Sequence, residues 1–358
     1  MSFRLGIIGA GSIARFHAEA AAAAGLEVAV VCDVDRERAE SLADSYPGAA
    51  VTTSVDELLA KKELPAVVVA VPNHLHKDYA IRAVRAGKDV LLEKPMATSV
   101  VECRAIMEAV QRTDRLVQMG FVGRHSPASV AVRELIEAGR LGEFYHAKAS
   151  LYRRRGIPGL GRWFTTRSKS GGGVLIDLGV HLIDLVMHLG GSSRPTRASG
   201  VCWSRFGSPI EDYEYTEMWS GPPRLDGVFD VEDAAAGLIR FDNGLTLELN
   251  TTWAANICEG SLTEGITLLG DRGGCWFDVW GTQIKLATGQ DDEVIDLQPR
   301  FTQPDTWVAA WERQYEHFVK MVTERARPDA SLDDGRKVQA VIEALYRSSR
   351  EDREVEVG

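Results

Sequence analysis

The chain has 358 residues, 45% of them hydrophobic, which is more than one core usually serves, so two domains are expected. Its formal net charge of −10 argues against nucleic acid, because neutralising phosphates needs a basic surface, and points to a small-molecule partner. Five cysteines, odd in number and without a CxxC pair, indicate neither a disulfide framework nor a zinc site, and no run approaches the roughly eighteen apolar residues of a membrane span.

Phe3 to Ile8 is predicted to be a buried strand, followed by Gly9-Ala10-Gly11-Ser12-Ile13-Ala14 and an Ala-rich helix from Ile13 to Ala24 that Gly25 ends. Arg4 ahead of an apolar stretch has the look of a signal peptide, but the glycines and Arg15 interrupt it. In the GxGxxA spacing the first glycine permits a sharp turn, Gly11 lets backbone N–H groups approach a pyrophosphate, and Ala14 lets helix and strand pack closely. The phosphates then sit at a helix N-terminus, where N–H groups and the dipole favour negative charge. Gly9, Gly11, Ser12 and Ile13 are the candidate contacts. A second strand, Val28 to Cys32, ends in Asp33, about twenty positions past the glycines, where a carboxylate accepts hydrogen bonds from the adenosine ribose hydroxyls. That carboxylate repels a 2′-phosphate and favours NAD. Arg36 and Arg38 read as surface residues but could offset the repulsion, so NADP stays possible.

Strands at 51–53, Pro65 to Val71, Val90 to Leu92 and Leu116 to Met119 alternate with helices from Val55, from Lys77 to Ala86 and from Ser99 to Thr113. This alternation implies a doubly wound parallel sheet of Rossmann type over 1–123, with ligands at the carboxyl ends of the strands. Pro72, Asn73 and His76 follow one strand, and Glu93 and Lys94 follow the next, where the nicotinamide end belongs. Pro95 pushes Lys94 out of the helical region and so constrains its side chain.

Residues 124–358 read as an α+β domain with an antiparallel sheet. Ser126-Pro127 caps a helix running to Ala138, and a strand follows at Tyr145 to Tyr152. Arg153-Arg154-Arg155 is read as a solvated loop, or as a site for an acidic sugar. Ser204 to Asp230 is an irregular segment, either a substrate-covering loop or a surface excursion. Hairpins are expected at Asp242-Asn243-Gly244, before alternating Leu245, Leu247 and Leu249, and at Asp271-Arg272-Gly273-Gly274. Helices from Thr306 to Arg325 and from Asp333 to Arg347 close the chain, the last expected to pack on the first domain.

The chemistry concentrates in Gly171-Gly172-Gly173 and the apolar helix it opens, where Asp177 and His181 stand four residues apart on one face. Oxidising a secondary alcohol requires a base for the hydroxyl proton as hydride leaves carbon, and a neutral imidazole suits that role near pH 7. A carboxylate orients the ring or holds a substrate hydroxyl, and an ammonium such as Lys94 stabilises the developing alkoxide. Asp184 and His188 extend the stripe, but each turn rises about 5.4 Å, so four ligands along one helix cannot surround one ion, and no metal is expected. Asp184 reads as the partner of a basic group and His188 as a C-terminal residue favoured by the helix dipole.

GAGSIA, Asp33, PNHLH, EKP and DLGVHLIDL, in this order, resemble the Gfo/Idh/MocA family of glucose-fructose oxidoreductase and inositol dehydrogenase. The resemblance covers nearly the whole chain. It implies a Rossmann domain, a C-terminal α/β domain with an open sheet, and homodimers or homotetramers built through that sheet. It implies that Lys94, Asp177 and His181 form the catalytic group and contact a sugar, sugar derivative or cyclic polyol. Arg124 matches a family position for substrate binding, with His125 where an aromatic residue is usual. The resulting expectation is a soluble, cytoplasmic NAD(P)-dependent dehydrogenase. The alternatives are an NAD-dependent glycosidase using transient oxidation, or a non-catalytic NAD-binding regulator.

Overall fold

Six strands, β1 (Arg4–Ile8), β2 (Glu27–Cys32), β3 (Ala50–Thr52), β4 (Ala66–Val69), β5 (Asp89–Leu92) and β6 (Val117–Met119), pair in the order β3-β2-β1-β4-β5-β6, all parallel. Leu5, Ile7, Val67, Val68, Val69, Leu91 and Leu92 are fully buried, as a sheet covered on both faces demands. The crossovers are α1 (Ser12–Ala23), α2 (Arg36–Ala43), α3 (Val55–Leu59), α4 (His76–Arg85) and α5 (Val100–Gln111). Asp35, Ser54 and Ser99 cap α2, α3 and α5 by accepting N–H bonds from Arg38, Glu57 and Glu102. Strand order reverses between β1 and β4, so their carboxyl ends flank the crevice where such sheets bind ligands. The computed structural model describes every residue except 1–2, 192, 216–219, 259, 291–292 and 300–306.

Past Val122 come α6 (Pro127–Glu137), β7 (Phe144–Tyr152), α7 (Arg167–Ser170), a π-helical turn (Leu175–Gly179), α8 (Val180–Leu189) and β8 (Pro195–Trp203). Strands β9 (Ala234–Phe241), β10 (Thr246–Thr252), β11 (Gly265–Gly270), β12 (Gly273–Phe277), β13 (Ile284–Gln290), β14 (Glu293–Leu297) and β15 (Val355–Glu356) complete a nine-stranded sheet. Its order is β14-β13-β12-β11-β7-β10-β9-β8-β15, mainly antiparallel, with β7 and β10 parallel. The Ser126 hydroxyl accepts the Ser129 N–H and starts α6 ahead of Pro127. Both expected hairpins form, β9 to β10 and β11 to β12. Gly244 turns the first at φ +88°, and Leu247 and Leu249 point into the core while Thr246, Glu248 and Asn250 stay half-buried.

Two further helices, α9 (Trp307–Glu324) and α10 (Leu332–Glu351), close the chain. The chain divides into two compact units, Met1–Val122 with Ala310–Arg336, and Gly123–Ala309 with Lys337–Gly358. Residues 310–336, read from sequence as part of the second domain, thus lie in the first unit. The cause is the apolar face of α9, where Tyr315, Phe318 and Met321 are fully buried, together with Arg325, which pairs with Asp89 at 2.8 Å. The closing helix divides differently from the expectation: only its first turn groups with the first unit, and Lys337 onward belongs to the second. Thr306, the expected start of α9, and 216–219 within the irregular segment fall outside the described residues.

No uninterrupted apolar run reaches the length of a membrane span, but one segment does so by its average composition. Arg167–Leu189 is long and apolar enough by composition to cross a membrane, with a window of mean hydropathy 1.5. Of that window 89% is buried inside the protein, and α8 packs on β7 and β10, so its apolarity is that of a core segment.

Candidate functional site

In the first unit the strand-to-helix turn after β1 needs its glycine. Gly9 has φ +99°, and a Cβ there would lie 2.2 Å from the Ala70 carbonyl oxygen. A Cβ on Gly11 would meet no protein atom within 4 Å. Gly11 therefore leaves clear the N-terminus of α1, where no side chain supplies a cap, and Ser12 and Ile13 are half-buried beside it. Such a cradle of uncapped amides fits a pyrophosphate. Asp33, just past β2, accepts the Ala10 N–H at 2.7 Å through Oδ2 and the Asp35 N–H at 2.9 Å through Oδ1, so the acid also holds the glycine turn in shape. Arg36 and Arg38 pair along their own helix with Glu40 (3.2 Å) and Asp35 (3.1 Å), the surface role read from sequence.

Pro72 and Asn73 follow β4, with Asn73 buried. His76 and Glu93, expected as cofactor contacts, also make hydrogen bonds within the first unit. His76 is fully enclosed, with Nδ1 2.6 Å from the Pro95 carbonyl and Nε2 2.8 Å from that of Val71. Burial lowers its pKa, although the two carbonyls and Glu93 pull the other way. Its ring thus braces the Lys94-Pro95 segment from behind. Glu93 is 5% exposed, accepts from His17 Nε2 at 3.1 Å, and receives the Lys94 N–H at 3.3 Å. His17 Nδ1 in turn lies 3.0 Å from the Tyr315 hydroxyl, whose pKa burial raises well above its usual value. The chain Tyr315–His17–Glu93 links α9, α1 and the end of β5 directly under Lys94.

In the second unit the triple glycine is a packing requirement. A Cβ on Gly172 would lie 1.9 Å from the Tyr346 hydroxyl, one on Gly173 would lie 1.9 Å from the Glu232 carbonyl oxygen, and Gly171 has φ +85°. Asp177 and His181 are not on a regular helix as expected. Asp177 sits in the wide π turn and His181 in the first turn of α8, an irregularity often found at functional sites. From Gly172 to Met187 these two are the residues that are not buried. Trp253, fully buried, donates from Nε1 to Asp177 Oδ2 at 3.0 Å, and the Trp280 ring meets the His181 ring edge-to-face at 4.8 Å. Both tryptophans escape a reading of sequence, since more than seventy residues separate each from its partner. The nearest signal is an aromatic at the end of an alternating strand.

Arg124, expected as a substrate contact, forms a buried ion pair in the second unit. Its Nε lies 2.9 Å from Asp184 Oδ2 and its Nη2 2.6 Å from Oδ1, with both side chains at most 3% exposed. Asp184 is thereby the partner of a basic group, as its sequence position implied. Arg153 donates to the Gly156 carbonyl, and Arg155 bonds Asn256 and covers the Phe206 ring at 5.1 Å. Asp233 Oδ2 accepts N–H bonds from Arg205, Phe206 and Gly207, tying the start of the irregular segment to β9. Among the described residues no group of three or more His, Cys, Asp or Glu is placed to hold a metal ion.

Comparison with known proteins bears on this arrangement. Residues 3–121 match an oxidoreductase family with an NAD-binding Rossmann fold, and residues 129–281 match a GFO/IDH/MocA C-terminal domain. The chain is 29% identical to D-glucoside 3-dehydrogenase of Escherichia coli K12, over 99% of its length and 97% of the relative's. It is 36% identical to glucose-6-phosphate 3-dehydrogenase of Bacillus subtilis, over 52% and 53%. Levoglucosan dehydrogenase, solved with NADH and levoglucosan, has the same fold, with TM-score 0.87 and 23% identity over all of both chains.

Proposed function

The chain belongs to the Gfo/Idh/MocA family of NAD-binding sugar and polyol oxidoreductases, and from that premise we propose that it oxidises a ring hydroxyl of a sugar, sugar derivative or cyclic polyol. The observation that carries the reading is the pair Asp177 and His181, the opening left in a run otherwise buried from Gly172 to Met187. Each is set by a tryptophan, so carboxylate and imidazole hold fixed orientations. NAD, when bound, takes up the hydride.

The residues do the rest. The His181 imidazole accepts the hydroxyl proton as the C–H bond breaks, Asp177 holds a neighbouring hydroxyl and the ring's orientation, and the Lys94 ammonium stabilises the developing alkoxide. Gly9, Gly11, Ser12 and Ile13 receive the pyrophosphate, and Asp33 receives the ribose hydroxyls. Asp33 and the engagement of Arg36 and Arg38 on their own helix support NAD over NADP. The two relatives named as 3-dehydrogenases of glucosides and glucose phosphate make the C3 hydroxyl of a pyranose the first to try. A homodimer or homotetramer through the nine-stranded sheet fits the exposed Tyr145 on β7 and Val294 and Leu297 on β14.

The test is to incubate the protein with NAD and a panel of glucosides, aldoses and inositols while following NADH absorbance. Turnover of at least one, lost in Lys94→Ala and His181→Ala, is expected. No NADH from any of them, or full activity in both variants, would refute the reading.

A further inference from the structure

Glu232 stands just ahead of β9 and is 3% exposed. Its Oε1 accepts three hydrogen bonds: from the Gly173 N–H (2.9 Å), the Leu175 N–H (3.0 Å) and the Tyr346 hydroxyl of α10 (2.7 Å). The amide between, that of Val174, donates to the Glu232 carbonyl at 3.1 Å. Three successive N–H groups of the glycine loop therefore end on one residue. Amides at the start of a helix form a seat for an anion, and here the chain fills that seat with its own carboxylate. The Arg167 guanidinium lies 3.6 Å from Oε2. Burial pushes the Glu232 carboxyl pKa up, while Tyr346 and the amide donors pull it down.

Glu232 and its neighbour Asp233 reach Asp177 by two routes. The Asp177 N–H donates to the Gly173 carbonyl at 3.1 Å, so the loop held by Glu232 sets the backbone of Asp177. Trp253, whose indole holds the Asp177 carboxylate, donates its own backbone N–H to the Asp233 carbonyl at 2.8 Å. Glu232 and Asp233 thus anchor both the backbone of Asp177 and the indole against its side chain.

We propose that Glu232, together with Tyr346, is a positioning residue for sugar oxidation. It touches no substrate and acts by fixing the glycine loop, and through it the setting of Asp177 against Trp253. This rests on the reading of Asp177 and His181 given above. A shift of about 1 Å in a reacting group costs on the order of 10²-fold in rate, so a small slackening of this loop is felt in turnover.

The reporter is the Trp253 indole N–H, one of eight tryptophans, observed by NMR in protein labelled with ¹⁵N-tryptophan and assigned from Trp253→Phe. Asp177→Asn calibrates its response. Glu232→Gln and Tyr346→Phe are then expected to move the Trp253 resonance, and to lower kcat by up to about 10²-fold with the KM for NAD unchanged. Tyr346→Phe removes a single hydroxyl, so it decides the matter alone if Glu232→Gln does not fold. An unmoved resonance with unchanged kcat in a folded variant would overturn the proposal. If the unmodified protein oxidises no sugar, the resonance still decides the role of Glu232, and it is the functional reading that falls.

Discussion

Removing Asp184 is the sharpest test of how the second unit spends its charges. The Arg124 guanidinium is 3% exposed and grips the carboxylate through Nε and Nη2, so Asp184→Ala leaves a cation with little access to water. Breaking a buried pair this way costs about 3–5 kcal/mol. A unit of roughly 150–250 residues loses about 2–4 °C per kcal/mol, so a fall in melting temperature of roughly 6–20 °C is expected. Replacing both partners by apolar residues of similar size, Arg124→Met with Asp184→Leu, removes the stranded charge and is expected to restore most of the loss. Circular dichroism melts of the three proteins measure this, and steady-state kinetics of the double variant measure whether the sugar KM stays constant. An unchanged melting temperature in Asp184→Ala, joined to a raised sugar KM in the double variant, would refute the structural role and return Arg124 to the substrate.

Other outcomes follow from the same geometry. Gly9→Ala places a methyl 2.2 Å from the Ala70 carbonyl at a positive φ, so NAD binding by calorimetry is expected to be lost, and retained affinity would contradict the glycine-turn account. Asp33→Ala removes the acceptor of the Ala10 N–H and the repulsion of a 2′-phosphate together, so NAD affinity should fall and the NAD-to-NADP preference narrow, which parallel titrations would show. Burial pushes the thiols of Cys202 and Cys275 up to about 12 and that of Cys32 to about 11, and Cys103 is buried, so a thiol reagent at pH 8 should modify Cys258 alone at the fast rate. Two fast thiols, or one that survives Cys258→Ser, would contradict this.

What sequence made legible is what local chain geometry dictates. The GxGxxA turn, the parallel alternation and the Asp242-Asn243-Gly244 hairpin each depend on neighbours within a few residues, or on a repeat of two or of helical period, and Asp33 on its set distance past the glycines. Asp177 and His181 stood out because they interrupt an apolar run behind three glycines. The role of those glycines did not, since it is set by Tyr346 and Glu232 on distant elements. The same holds for His17 and Tyr315 behind Glu93, and for Trp253 against Asp177: long-range pairs leave no spacing in the sequence. The Arg124 ion pair was not legible either, because a family position predicts a side chain's place in the chain, whereas its pairing here follows from the carboxylate that α8 presents to it. The π turn was missed because five residues of wider pitch barely disturb the apolar pattern around them.

We propose that Lys94 and His181 both act on the hydroxyl that is oxidised. A crystal structure of the protein with NADH and the sugar it oxidises tests this most directly, through the distances from the reacting oxygen to Lys94 Nζ and to the His181 ring. Both within hydrogen-bond reach, about 2.6–3.2 Å, is the expected result. A reacting oxygen held by other groups, with either side chain well beyond that reach, would contradict it.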